Sequence, residues 1–311
     1  MNFVTFEQLN DCIYRNIGKI PKDVDLIVGI PRSGMLAASM IALYLNLPFT
    51  DLDSYLEGRM LQTGTTRKYR DWITSAKEAR HVLIVDDSIS SGEAMRKAKK
   101  KVGDCTGKHT FLAVYALETA LPYITLHFEI CHQPRMFEWN YMHHWGLFYS
   151  CMDIDGVLCE DPGFFENDDD KRYRNFLENA VPKLIPTAKV GYLVTCRLEK
   201  YRSQTESWLA RQGVQYDTLI MLKADSAKER RTNFSHGGYK AEIYKKTNCF
   251  LFVESNYEQA VEICQISGKQ VFCTANRKLI TPENVCDHLK ILANDTRIVV
   301  KHTIKKILKK L

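Results

Sequence analysis

One pattern constrains this chain more than any other, and it occurs twice. Short apolar strands alternate with helical stretches from about residue 24, and the alternation starts afresh near 147. The first series predicts strands at 24–30, 81–86, 110–116 and 124–130, with helices at 34–45 and 91–101. The second predicts strands at 147–153, 189–194, 217–221, 249–253 and 269–273, with helices at 198–212 and 239–247. Such alternation specifies an α/β protein with parallel sheets, and the restart specifies two of them. A length of 311 residues suffices for two domains, each with its own core. The boundaries expected are 1–146, 147–296 and a tail, 297–311, with no Pro/Gly-rich linker between the first two. In parallel sheets, ligands bind beyond the carboxyl ends of the strands, and the informative residues fall there.

Composition removes several classes. Hydrophobic residues make up 45% and charged residues 26%, as in a soluble globular chain. The start, MNFVTFEQLN, lacks the basic and apolar segments of a signal peptide. The longest apolar stretch, Met35 to Leu45, is too short to span a bilayer. Ten cysteines without a C-x-x-C pair suggest neither a zinc ribbon nor a disulfide framework, so reduced thiols and a cytoplasmic setting are expected. The net charge of +6 equals the six Lys and Arg of the last 15 residues, RIVVKHTIKKILKKL, so the body is formally neutral. A neutral body argues against a nucleic-acid-binding face. In the tail, Val300, Ile304, Ile307, Leu308 and Leu311 recur at helical spacing, with Lys301, Lys305, Lys306, Lys309 and Lys310 on the other face. A basic amphipathic helix of this kind suits an anionic membrane surface, and equally a helix packed on its own domain or on a second subunit.

Two stretches carry chemistry in the first half. In VLIVDDSISSGEAM (82–95) a strand ends in Asp86-Asp87, and the small-residue loop Ser88, Ile89, Ser90, Ser91 and Gly92 leads into a helix. Small residues let backbone N–H groups converge on an anion at a helix N-terminus. Acids beside that cradle would suit ribose hydroxyls, or a magnesium ion held with the substrate. This stretch resembles the 5-phosphoribosyl-1-diphosphate (PRPP) motif of type I phosphoribosyltransferases. The resemblance extends to VGIPRSGM (28–35), where Arg32, Ser33 and Gly34 match that family's pyrophosphate-binding turn. EGRMLQTGTTRKYRDW (57–72) matches its mobile loop in place and composition. The resemblance implies that Asp86 and Asp87 hold the ribose hydroxyls, that 88–92 hold the 5-phosphate, and that Arg32 and Ser33 face the pyrophosphate.

The second half opens on CMDIDGVLCEDP (151–162), with Asp153 and Asp155 at the close of a strand. At that spacing one carboxylate can attack phosphorus while the other moves protons. Thr195 ends a strand, Lys240 opens a helix with Lys223 and Lys228 as rivals, and Glu254 ends the next strand. This order resembles the haloacid dehalogenase superfamily of phosphatases. It implies Asp153 as nucleophile, Asp155 as general acid/base, and Thr195 and Lys240 on the phosphoryl group. It further implies magnesium held by Asp153, Asp155 through its carbonyl, Glu254 and Asn256. Where many members carry further acids, this chain has Glu254-Ser255-Asn256. Only about thirty residues separate the D-x-D loop from the next strand, room for a helix near 171–180 but not for a large cap.

The implied fold is thus two Rossmann-like parallel-sheet domains with a basic amphipathic helix at the end. The domain order resembles bacterial enzymes that add ribofuranose to surface polysaccharides. That implies PRPP as donor, magnesium in both domains, a lipid-linked glycan acceptor and a site at the inner face of the cell membrane. A nucleobase phosphoribosyltransferase coupled to a nucleotide phosphatase is the alternative, and a non-catalytic PRPP sensor is a second. The aromatic stretch QPRMFEWNYMHHW (133–145) is left over, as a lid or a domain interface, and its adjacent His143 and His144 lack the partners of a metal site.

Overall fold

The computed structural model describes residues 1–61, 73–166, 170–224, 229 and 235–294. The chain divides into two compact units, Met1–Trp139 and Asn140–Leu311. The division lies a few residues before the expected 146/147. The reason is that Met142 and Tyr141 are buried in the second unit: the Met142 carbonyl accepts from Thr187 N at 3.0 Å, and Tyr141 packs edge-on against Phe272. The tail at 297–311, and all but 57–61 of the 57–72 loop, lie outside the described residues.

The first unit runs β1 (Asn2–Val4), α1 (Phe6–Asn16), β2 (Leu26–Gly29), α2 (Gly34–Leu45), β3 (Phe49–Asp51), α3 (Leu52–Glu57), β4 (His81–Ile89), α4 (Glu93–Lys101), β5 (Lys108–Ala116), β6 (Leu126–Ile130) and β7 (Arg135–Phe137). Five strands form a parallel sheet in the order β3-β2-β4-β5-β6, and β1 pairs separately with β7, also in parallel. Along β4, Leu83 and Val85 enter one core with Leu9, Ile13, Ile41 and Phe137. Their neighbours Val82 and Ile84 enter the other, with Met95, Ala98 and Phe111. A period of two with apolar residues on both faces is what a sheet buried on both sides requires. Each fully buried Leu or Ile contributes about 1.5–3 kcal/mol. The strand β4 continues through Ile89 rather than stopping at Asp86, because Ser88 and Ile89 still pair with Tyr115 and Ala116 of β5.

The second unit runs β8 (Ser150–Met152), α5 (Lys171–Asn179), β9 (Val190–Leu198), α6 (Arg202–Arg211), β10 (Tyr216–Leu222), α7 (His236–Lys246), β11 (Leu251–Glu254), α8 (Tyr257–Ser267), β12 (Val271–Cys273) and β13 (Lys278–Ile280). Its sheet order is β10-β9-β8-β11-β12-β13, parallel except for β13 against β12. Between β8 and β9 the described residues hold one α-helix, α5, packed on α6; the Trp208 indole N–H donates to Ala180 O at 2.9 Å.

Both sheets have one switch point. The chain leaves β2 toward β3 and β4 toward β5, so the crevice opens between the adjacent β2 and β4. It leaves β8 toward β9 and β11 toward β12, so the second crevice opens between β8 and β11. Ligands of open parallel sheets bind at such crevices. Asp86 and Asp87 stand at the first, Asp153 and Glu254 at the second.

Candidate active sites

In the first unit the turn after β2 lies directly on the acid pair. A Cβ at Gly34 would come within 2.8 Å of Val85 O and 3.1 Å of Asp86 Oδ1, so glycine is what permits the approach. The cradle is shorter than the sequence suggests. Ile89 is a core residue and Ser88 is part of the strand, which leaves Ser90, Ser91 and Gly92 as the turn. Gly92 takes φ +75°, and the Tyr123 ring fills the space where a Cβ would stand. The turn opens on α4, where Ser91 Oγ accepts from Glu93 N at 3.4 Å. Arg32 is exposed and Ser33 half-buried.

Asp86 and Asp87 are 8% and 2% exposed. Asp87 N donates to Asp86 Oδ1 at 3.0 Å, and the Trp139 indole N–H donates to Asp87 Oδ2 at 2.8 Å. Burial, and then the charge of Asp87, push the Asp86 carboxyl up to about 8. The Arg135 guanidinium interacts electrostatically with Asp87, but its hydrogen bonds go to Ile89 O at 2.7 Å and Cys131 O at 3.1 Å. Two buried acids with so little compensation suit an imported partner. Sugar hydroxyls would do, and so would a magnesium ion completed by substrate oxygens.

In the second unit the acids already hold cations. Lys240 Nζ, from α7, bridges Asp153 Oδ2 at 2.5 Å and Glu254 Oε2 at 2.7 Å, and reaches Gln259 Oε1 at 2.9 Å. Of the three lysines the sequence offered, Lys240 is the one among the described residues that meets the acids, and Lys228 lies outside the described residues. Burial opposes its ammonium, but Asp153 and Glu254 outweigh it and hold the proton on firmly. Burial pushes Asp153 up to about 7, against the pull of Lys240, because one ammonium serves two carboxylates. Asp153 Oδ1 accepts from Ile154 N at 2.8 Å. Asp155 is clamped by Arg197, a residue the motif pattern does not reveal: Nε lies 3.1 and 3.2 Å from the two carboxylate oxygens and Nη2 2.6 Å from Oδ1. The Arg197 side chain is wholly buried. It stands two residues beyond Thr195 on β9, and that spacing, which puts both on one face of a strand, was the available signal.

Two cavities meet at Asp153. One of about 140 Å³ is lined by Asp153, Asp155, Thr195, His236, Lys240 and Gln259. The other, about 290 Å³, is lined by Asp153, Asp161, Lys183, Glu254, Asn256 and Gln259. Thr195 Oγ1 accepts from Arg197 N at 3.2 Å, which leaves its hydrogen free to donate into the first cavity. Asp161 also escapes the motif pattern; it lines both cavities.

The expected magnesium ligands do not all gather. The Asp155 side chain is held by Arg197, and its carbonyl accepts from Ser255 Oγ at 3.3 Å. Asn256 Oδ1 caps α8 by accepting from Gln259 N at 3.0 Å. Glu254 Oε1 accepts from the N–H groups of Ser255 and Asn256, at 2.9 and 3.0 Å. Among the described residues no three His, Cys, Asp or Glu side chains gather closely enough to hold a metal ion. Asp153 and Glu254, which line one cavity, fit a magnesium ion held by two carboxylates and otherwise by water and substrate. His143 and His144 are engaged locally, with Thr187 Oγ1 at 2.8 Å and Gly146 N at 3.0 Å.

Residues 6–120 match the model of the phosphoribosyl transferase domain, and the type I phosphoribosyltransferase fold of the first unit rests on that match and on its strand order. A curated relative, "Transcriptional regulator GfcR" of Methanothrix thermoacetophila, is 26% identical over 110 residues, 35% of this chain and 53% of the relative. The chain thus spans about half the length of the curated relative it matches. Among solved structures, the chain is similar to the xanthine-guanine-hypoxanthine phosphoribosyltransferase of Helicobacter pylori, at 14% identity and a TM-score of 0.33, over 45% of this chain and 91% of that one. It is similar at the same level to a purine phosphoribosyltransferase from Pyrococcus horikoshii, at 18% identity and a TM-score of 0.32, over 45% of this chain and 94% of that one.

Proposed function

We propose that the protein is a bifunctional enzyme that transfers 5-phosphoribosyl from PRPP to an acceptor, releasing pyrophosphate, and then removes the 5-phosphate. The observation that carries this reading is a pair of acid-bearing switch-point crevices, one in a phosphoribosyl transferase domain and one built around a lysine-paired aspartate. In the first, Asp86 and Asp87 would take the ribose hydroxyls, Ser90 to Gly92 the 5-phosphate, and Arg32 with Ser33 the pyrophosphate. Magnesium held with the substrate there would offset the charge of the departing pyrophosphate. The acid pair beside the ribose, once ionised with substrate and magnesium bound, would favour the positive charge that develops on the ring as pyrophosphate leaves.

In the second unit Asp153 would attack phosphorus to form an aspartyl phosphate. Lys240 and Thr195 would offset charge on the phosphoryl oxygens, and Asp155 would protonate the leaving hydroxyl and then take a proton from water. A magnesium ion at Asp153 and Glu254 would supply further charge neutralisation there. Removing the 5-phosphate makes little sense in nucleotide synthesis and good sense when a plain ribofuranose unit is wanted. A lipid-linked bacterial glycan is therefore the acceptor proposed, with the basic tail at 297–311 on the membrane surface, at its cytoplasmic face. The name of the curated relative, a transcriptional regulator, favours a second reading in which the first unit senses PRPP without turning it over.

Incubation with PRPP, magnesium and either glycan acceptors or nucleobases tests all of this, with pyrophosphate and phosphate followed separately. Glycan-dependent release of both is expected, and Asp153→Asn should accumulate a phosphoribosylated glycan. Pyrophosphate release with a free base but not with glycan would replace this reading by nucleotide salvage. Tight PRPP binding without any turnover would replace it by sensing.

A further inference from the structure

We propose that Trp139 is a positioning residue of the first site, which fixes Asp87 so that the acid pair presents one free oxygen on each carboxylate to two neighbouring hydroxyls. The proposal rests on the phosphoribosyl reading of the first unit and adds to it a residue that lies beyond the matched domain, 6–120.

Two hydrogen bonds set the pattern. Asp86 Oδ1 is taken by Asp87 N at 3.0 Å, and Asp87 Oδ2 by the Trp139 indole N–H at 2.8 Å. The two carboxyl groups also lie within hydrogen-bonding reach of each other, a contact that a ligand would replace, and among the described residues no other N–H or O–H donor reaches Asp86 Oδ2 or Asp87 Oδ1. One open oxygen on each of two adjacent acids matches a vicinal diol, in which each hydroxyl donates once. Without the indole, Asp87 could turn either oxygen to the ligand, and the match would have to be assembled on binding.

The indole, half-buried, is held by two aromatic rings. Its ring stacks on Phe137 at 4.8 Å and 22°, and tilts against Phe6 at 5.7 Å. The backbone just before it is tied down, since Glu138 N donates to Val4 O at 2.8 Å and Glu138 Oε2 accepts from Phe6 N at 2.7 Å. Two residues earlier than Phe137, the buried Arg135 donates to Ile89 O at 2.7 Å and so fastens β7 to the end of β4. The small β1–β7 sheet thus serves the site by carrying one N–H group to Asp87 and holding it still. This accounts for the first part of the aromatic stretch 133–145.

The test is calorimetric titration of the full chain, with magnesium, by ribose 5-phosphate, 2-deoxyribose 5-phosphate and pyrophosphate. The wild type should prefer ribose 5-phosphate to its 2-deoxy form by about 10-fold or more. Trp139→Phe keeps the ring and removes the N–H. It should weaken ribose 5-phosphate about 10-fold while pyrophosphate binding stays within about twofold. Phe6→Leu, which disturbs the ring packing but not the N–H, should leave ribose 5-phosphate within about twofold and controls for a merely structural effect. Unchanged ribose 5-phosphate binding in Trp139→Phe would overturn the proposal. So would an equal loss of all three ligands, which would make Trp139 a packing residue. A wild type that binds none of the three would instead overturn the phosphoribosyl reading, and the proposal with it.

Discussion

The two crevices place acids at the same topological point and treat their charge in opposite ways. Asp86 and Asp87 sit buried with two N–H donors, and Arg135, the cation that interacts with Asp87, spends its hydrogen bonds on carbonyls. Asp153, Asp155 and Glu254 line the second crevice with Lys240 and Arg197 bonded directly to them. An uncompensated acid pair is destabilising until something binds, so the first site is organised to import its partner. A compensated set is stable while empty, because the lysine that would offset charge in a reaction also offsets it at rest. Substitutions at the two sites should therefore move stability in opposite directions.

The largest effect is expected at Lys240. Lys240→Met would leave Asp153 and Glu254 buried together without their shared cation, and breaking a buried pair costs about 3–5 kcal/mol. Urea unfolding of the second unit should shift by that amount, and phosphate release should vanish. Arg197→Met comes next, at about 3 kcal/mol, since Asp155 is 19% exposed and water can partly replace the guanidinium. A variant as stable as the wild type would show that the Asp155 clamp contributes nothing net.

Both sites were legible in part, and each hid one contact. The strand pattern placed both sheets, and Asp86, Asp87, Asp153, Thr195, Lys240 and Glu254 all stand at or beside the switch points of the two sheets. What escaped were contacts over long sequence separations. Trp139 meets Asp87 from 52 positions away and Arg197 meets Asp155 from 42, and no local periodicity carries such a pairing. The limits of the cradle escaped for another reason. Ser88 and Ile89 look like loop by composition, yet pairing with β5 holds them in the strand. The three-residue strands β1 and β7 were too short to leave a signal of alternation.

At the first site the sign reverses. Asp86 titrates near 8 in the folded unit, against about 4 for a free carboxyl, because burial and Asp87 disfavour its ionised form. A raised folded pKa means that the ligand-free unit loses stability as pH rises from about 4 to about 8, and no more above that. Asp86→Asn should remove this slope and stabilise the unit by at most about 4 kcal/mol at neutral pH, while abolishing ribose 5-phosphate binding. Hydrogen exchange of the β4 amides at pH 5 and 8.5 reads the difference. A loss of protection at pH 8.5 equal in wild type and variant would show that the acid pair is already neutralised at rest.

The smallest effect sharpens the metal question. Asn256 has one side-chain acceptor, and it caps α8 by accepting from Gln259 N at 3.0 Å. Asn256→Ala should then cost about 1 kcal/mol, the ordinary value of a lost N-cap. The concentration of magnesium needed for half-maximal phosphate release should stay within about twofold, because that oxygen is committed to the helix. A tenfold rise in that concentration would place Asn256 at the metal after all. The helix would then have to open its first turn each time the ion binds. Asn256→Asp separates the two outcomes further: a carboxylate still caps a helix and interacts favourably with its N-terminus, so stability should hold. If the oxygen turns to the metal instead, Asn256→Asp should lower the magnesium requirement, since it restores the second acid that this segment lacks.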